Sequence, residues 1–454
     1  MTWSVPRLAI AAALLIVAYG SRLAEVDNTS YRPVNDAGTY LTLASNITHT
    51  GDYWASHVRG GAGGTRGPTA YFPPAFPYLL AGVDLLDGHT TRRGKSIHPA
   101  RISQAALGTV EVALIGLVAW EAFGSTAGLL ALAIAAVYPV FVVLSGTIVA
   151  ENLLTAFVLL AVWTALRARR ARQPYGWIAA CGLFTGLATL THQNGILILI
   201  PLVFAVWMGR PRWKLQAIQA PIFLIAITVI TISPWMIRNA VLLHRIIPVS
   251  DESGITLVGT YNPASAANRQ IPYKWRLYVS VPQDAALARE SHHLTETQLS
   301  SKLTSQALDY IDAHPTAPLD VASHNALRML ELEGSLASRD SYAAIDLPRT
   351  TARVGVISFW VLGVLAILGA LTPLARRAPL WLWVIPLLLA ISVVLVNVET
   401  PRFREPVDAF LILLAACALA TPLRWLGRSP VRRDLDTTTA TGGAEPVEVI
   451  QRLA

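Results

Sequence analysis

Charge is what this chain has least of. Asp, Glu, Lys and Arg make up 14% of its 454 residues, against about 25% in a soluble globular protein. With 53% hydrophobic residues and a mean hydropathy of +0.47, the chain reads as a polytopic membrane protein. Cysteine is almost missing. Cys181 and Cys417 each sit in an apolar run, without CxxC spacing or a nearby histidine. Neither a disulfide framework nor a zinc site is expected from them. No Gly-rich phosphate loop stands in the right context, and there is no Gly-x-Ser-x-Gly elbow. No His, Cys and carboxylate set has metal-ligand spacing. These absences argue against a nucleotide-hydrolysing enzyme.

What is present is a series of apolar runs. A span needs about 20 mostly apolar residues. Ten candidates begin near Leu8, Ile102, Thr126, Val149, Trp177, Ile196, Ala217, Val354, Leu380 and Val407. The expected fold class is therefore all-α, with about ten transmembrane helices. The first run follows Arg7 and has no clear small-residue cleavage site, so it is read as a retained span rather than a signal peptide. Residues 71–80 form an eleventh apolar run, rich in proline and followed by Asp84. It is short, and reads as an interfacial helix in the first loop.

The net charge of +8 does not point to nucleic acid, because the Lys and Arg cluster between apolar runs. With ten spans and an inside N-terminus, the inside loops hold Arg167, Arg169 and Arg170, then Arg210, Arg212 and Lys214. They also hold Arg376, Arg377 and the basic tail, as the positive-inside rule requires. Arg92, Arg93, Lys95, Arg402 and Arg404 fall outside. The membrane domain covers residues 1–426 and the polar tail 427–454 is expected to be a disordered cytoplasmic segment. The first outer loop runs over about 23–100 and the long outer loop over about 240–353. The second part of the long loop, about 295–332, has helical periodicity in Leu299, Leu303, Ala307, Tyr310 and Ile311. This topology sends the first loop, the turn before Glu151, the long loop and the turn bearing Arg402 to one face.

That face carries the candidate chemistry. Asp36 lies in Asn35-Asp36-Ala37-Gly38-Thr39-Tyr40, about a dozen residues past the first span. Residues 37–50 can form an interfacial helix, for which Asn35 or Asp36 would be the N-cap. Glu151 opens a span, where a carboxylate suits the helix N-terminus or orients a loop or substrate. Arg402 and Arg404 flank Phe403, and in an extended turn both would point to one side. Arginine is the preferred fork for phosphate oxygens. Pairing with Glu399 and Glu405, or headgroup contact, is the plainer reading. Arg238 ends the seventh span beside Trp235, as interfacial anchors do. His192 stands at another outer turn.

Five ordered segments resemble one family. They are Asn35-Asp36 through Tyr40, residues 71–77, Ala100-Arg101, Ala150-Glu151, and Pro234-Trp235 with Arg238-Asn239; the Arg402-Phe403-Arg404 turn fits a sixth. The set is similar to the type C fold membrane glycosyltransferases, in the branch of protein O-mannosyltransferases and aminoarabinose lipid A transferases. Where many relatives have Asp-Glu this chain has Asp36-Ala37, where some have Lys it has Phe72, and where many have Arg-Pro it has His192-Gln193. The resemblance implies a polyprenyl-phosphate sugar donor and Asp36 as the catalytic carboxylate. Arg402, Arg404, Arg101 and Arg238 are then candidates for the donor phosphate, and Glu151, Tyr40, His192 and Tyr71 for positioning substrate or loops. The expected reaction is sugar transfer to an acceptor hydroxyl of a protein, lipid or glycan, with Asp36 as general base. No cofactor or metal is required. The expected location is the plasma (inner) membrane, with the active site outside. The alternative is a transporter or flippase of a lipid-linked sugar. That would call for ionisable residues in mid-span, where Glu111 is the exception.

Overall fold

The structure, a computed structural model, describes residues 5–55, 67–88, 97–208 and 215–426. The basic segments 92–95 and 209–214 and the tail 427–454 lie outside the described residues. The membrane part begins with α1 (Val5–Asn28). The first loop holds α2 (Asp36–Thr50), the two-residue strands β1 (Trp54–Ala55) and β2 (Gly67–Pro68), and α3 (Ala75–Leu86). Then come α4 (His98–Phe123), α5 (Ser125–Val137), α6 (Pro139–Leu144), α7 (Glu151–Arg170), α8 (Tyr175–Thr191), α9 (Leu199–Met208) and α10 (Leu215–Leu243). The long loop carries α11 (Ser253–Thr260), α12 (Pro263–Ala266), α13 (Ala285–Glu290), α14 (Glu296–Ala313), α15 (Ala317–Met329) and α16 (Ser335–Ala343). The chain re-enters the bundle through α17 (Arg349–Ala370), α18 (Pro373–Arg376), α19 (Leu380–Val394) and α20 (Glu405–Leu426).

All ten apolar runs are helices. Six of them, α1, α4, α7, α10, α17 and α20, are long and apolar enough to cross a membrane, and α5, α8, α9 and α19 are shorter. The shortening has local causes. The run after Ser125 is split because Tyr138 precedes Pro139 and is pushed to an extended conformation (ψ 114°). The carbonyls of Ala135 and Ala136 freed by that break accept hydrogen bonds from the fully buried guanidinium of Arg22. Ahead of α9, residues 193–198 wind as a 3₁₀ turn.

The first-loop expectation of interfacial helices holds for α2 and α3, which pack on each other through Tyr40, Leu43, Phe72, Phe76 and Leu80. At 12 residues, α3 is about 18 Å long, well short of a membrane core of about 30 Å. In the long loop, Thr295 and Gln298 form a capping box that starts α14. Leu299, Leu303 and Ala307 face a small core with Ile255, Val258 and Val321. Hydrogen bonds then tie the loops together. Asn35 Nδ2 donates to the Ala344 carbonyl at 2.8 Å, Asp251 N to the Ala70 carbonyl at 2.9 Å, and Tyr261 Oη to the Leu395 carbonyl at 2.7 Å. The first loop, the long loop and the turn between α19 and α20 thus meet on one face of the bundle.

Candidate active site

Asp36 opens α2. Asn35 holds the N-cap position at φ 50°, but its side chain makes no capping bond and reaches the long loop instead. The cap expected of Asn35 or Asp36 is therefore not formed. The Asp36 carboxylate is left free to turn toward α20, where its Oδ2 accepts a hydrogen bond from Arg402 Nη1 at 2.7 Å.

Arg402 is the hub of the site. Its Nη2 donates to Glu399 Oε2 at 2.8 Å, and its Nε lies 3.9 Å from Glu151 Oε1. That Nε is buried and has no hydrogen-bond partner. The guanidinium rests against its neighbour Phe403, 4.4 Å from the ring centroid. Its side chain is 12% exposed, whereas Asp36 is 36% exposed. The pair therefore has a buried cationic half and an accessible anionic half. Glu151 reaches it from the first turn of α7.

Sequence reasoning missed a fourth carboxyl, Glu252, just ahead of α11. Burial, followed by the charge of Asp36, pushes it up to about 8, and it also feels Arg402 and Glu151. Nothing in Ser250-Asp251-Glu252-Ser253 sets it apart from an ordinary polar loop. Glu399 carries a weak signal, being three residues before Arg402. Four segments thus bring Asp36, Glu151, Glu252 and Glu399 around one guanidinium. Among the described residues no group of His, Cys, Asp or Glu is arranged to hold a metal ion.

The flanking aromatic groups come from the first loop. Tyr40 is buried, with ring centroids 4.6 Å from Phe72 and 4.9 Å from Phe76. Tyr71 meets Phe72 edge-on at 4.7 Å. Burial holds both phenols well above their usual range, with Asp36 adding to Tyr40, and Glu252 and Asp36 to Tyr71. They remain protonated at neutral pH. His192, in the turn after α8, sets its ring edge-on to Phe403 at 6.4 Å. Burial, and next the charge of Arg402, push it down to about 4, so the imidazole is neutral.

The other arginines lie elsewhere. The turn 402–404 is a 3₁₀ helix, not an extended strand, so Arg402 and Arg404 diverge. Arg404 points into the bundle, 1% exposed. There it donates to Asp408 Oδ1 at 3.1 Å, Glu331 Oε1 at 3.0 Å and the Met329 carbonyl at 3.0 Å. The expected pairing of Arg404 with Glu405 gives way to Asp408, one helical turn on. Arg101 spends its donors on the carbonyls of Val26, Thr29 and Gly146 and on Thr29 Oγ1, clamping the end of α1. Arg238 donates to the Tyr53 and Thr69 carbonyls and stacks 4.7 Å over Trp235, pinning both strands at the open end of the β1–β2 ribbon. Sequence reveals a positive charge but not the backbone carbonyls that will surround it. Arg101 and Arg238 are held by backbone carbonyls in this way, and Arg404 by two buried acids, although its Nη2 is also without a hydrogen-bond partner.

Comparison with known proteins matches residues 71–237 to the family described as dolichyl-phosphate-mannose-protein mannosyltransferase. That segment includes Tyr71, Arg101, Glu151 and His192 but neither Asp36 nor Arg402. No curated protein matches the chain in sequence. Among solved structures, the chain is similar to the oligosaccharyltransferase AglB from Archaeoglobus fulgidus in complex with an inhibitory peptide and a dolichol-phosphate. The identity is 14% and the TM-score 0.57, over 97% of this chain and 52% of that one. The oligosaccharyltransferase of that organism tethered with an acceptor peptide gives 15% and 0.55, over 95% and 51%. ArnT from Cupriavidus metallidurans bound to undecaprenyl phosphate gives 17% and 0.40, over 91% and 76%. The chain spans about half the length of the oligosaccharyltransferase it matches.

Proposed function

For a chain with the fold of the type C membrane glycosyltransferases, we propose transfer of a sugar from a polyprenyl-phosphate donor to an acceptor hydroxyl. The observation that carries this reading is the ion pair between Asp36 and Arg402 on a face built by the first loop, the long loop and the start of α20. An accessible carboxylate stands beside a guanidinium with an unused N–H. That is the minimum set for displacing a lipid phosphate. Asp36 is the general base that takes the acceptor proton as the hydroxyl attacks the anomeric carbon. The C–O bond to the phosphate breaks, and its electron pair leaves as the polyprenyl phosphate anion. Arg402 stabilises that growing charge. One carboxylate suits a single displacement with inversion. The leaving group bears one phosphate, which arginine serves, so no metal is required.

Arg101, Arg238 and Arg404 take positioning roles, because the first two already hold α1 and the β1–β2 ribbon, and Arg404 is buried between Asp408 and Glu331. The basic loops and the positive-inside rule support a site on the outer face of the plasma membrane. The test is release of free polyprenyl phosphate when the purified protein meets donor and acceptor. Asp36→Asn is expected to abolish release while the protein stays folded in detergent. Full turnover by that variant would reject the assignment of the base.

A further inference from the structure

Arg402 has more claimants than it can serve at once. Nη1 serves Asp36 at 2.7 Å and Nη2 serves Glu399 at 2.8 Å. Nε, buried and unpartnered, is the free donor. A phosphate taken in a fork needs two neighbouring N–H groups on one edge of the guanidinium. Nε shares its edge with Nη2, whereas Nη1 and Nη2 share the end-on edge. A phosphate forked on the Nε edge displaces Glu399, and one forked end-on, on Nη1 and the second N–H of Nη2, displaces Asp36.

The geometry selects which. Glu399 sits three residues from Arg402 in the same turn and travels with it. Asp36 belongs to the first loop, 366 residues away, and its contact with Arg402 bridges separate elements. Asp36 is also the more exposed partner, 36% against 21% for Glu399. A released Asp36 is therefore hydrated at once, and ion pairs to exposed partners are weak. A phosphate oxygen, by contrast, gains the charge-assisted fork.

We propose that Arg402 is a two-position residue: it covers Asp36 until the donor phosphate draws it off, so that donor arrival uncovers the base. No bond is made or broken in this exchange. One guanidinium N–H passes from a carboxylate oxygen to a phosphate oxygen, and Asp36 Oδ2 regains the lone pair that accepts the acceptor's proton. Donor binding thus precedes base action. The proposal rests on the donor class argued above.

The test is a double-mutant cycle on binding of undecaprenyl phosphate, without sugar, to the full chain in nanodiscs. Competition predicts that Asp36→Asn binds the lipid phosphate several-fold more tightly than wild type, and that Arg402→Gln binds it more weakly. In the Arg402→Gln background, Asp36→Asn should then bring no further gain, because the contested group is gone. A gain that persists in that background would reduce Asp36 to simple repulsion of phosphate and overturn the exchange, leaving the donor class standing. No tightening in Asp36→Asn would also overturn it. Failure of the wild type to bind undecaprenyl phosphate would remove the donor class, and the exchange with it.

Discussion

Arg402 Nη1 stands 2.7 Å from Asp36 Oδ2, although 366 residues separate the two in the chain. The contact closes the first loop onto the start of α20. It gives the site one cation for several carboxyl groups, so the shape of that cation matters as well as its sign.

Arg402→Lys keeps the charge and loses the planar fork. Loss of one positioned donor to a developing oxyanion lowers turnover by about 10²–10³. We expect a fall of that order in kcat for sugar transfer, with the melting temperature in detergent little changed. Near-normal turnover would mean that the fork is not used.

Arg404→Met should do the opposite. It removes the cation that Asp408 and Glu331 share inside the bundle. Stripping one partner from a buried ion pair costs about 3–5 kcal/mol. The expected outcome is a clear loss of yield and melting temperature. A variant as stable as wild type would contradict the network described here.

Glu296 gives a pH dependence. Its carboxylate accepts from the Thr69 hydroxyl and, at 2.8 Å, from Ala70 N. Burial, the first of its causes, pushes it up to about 7, from 4.5 in an ordinary setting. As pH rises the unfolded chain loses this proton first, so Glu296 lowers stability between about pH 4.5 and 7 and adds no further slope above. Below pH 4.5 it has no effect. The shift corresponds to at most about 3 kcal/mol. Glu296→Gln keeps an acceptor for Ala70 N and has no charge to desolvate. Melting from pH 5 to 7.5 should therefore show a flatter slope in the variant; equal slopes would remove Glu296 as the cause.

Gly369→Ala tests the packing of α17 on α20. A methyl group at this position would lie 1.8 Å from the Leu414 carbonyl oxygen. The two backbones meet there as small residues allow helices to do in membranes. The substitution should lower the melting temperature and loosen the Arg402 turn at the head of α20, reducing transfer as well. An unaffected protein would mean that the helices separate at no cost.

Much of this architecture was legible in the sequence, for a plain physical reason. Apolar runs have nowhere to go but the bilayer, and all ten became helices. The short Pro-rich segment at 71–80 declared its interfacial nature through length alone. The span count sends the loops of Asp36, Glu151 and Arg402 to one face, and in the fold the three side chains meet. What was not legible was the fate of the remaining arginines. Arg101, Arg238 and Arg404 look as available as Arg402 when read as letters. Backbone carbonyls and buried acids claim them, and such partners appear only when the chain is folded. Glu252 was hidden for the converse reason, since a carboxyl in a polar loop stands out only when the loop carries it against Asp36.

The lengths of α8 and α19, which end in the turns beside the site, reach beyond the protein. They have 17 and 15 residues, about 26 and 23 Å of helix, where the hydrocarbon layer measures about 30 Å. A bilayer meeting such short walls has to dimple toward them. On that side lipid tails would be compressed, and headgroups would sit closer to the ends of α8 and α19. The thickness of the host membrane then bears on how these two helices, and the turns they end in, are held.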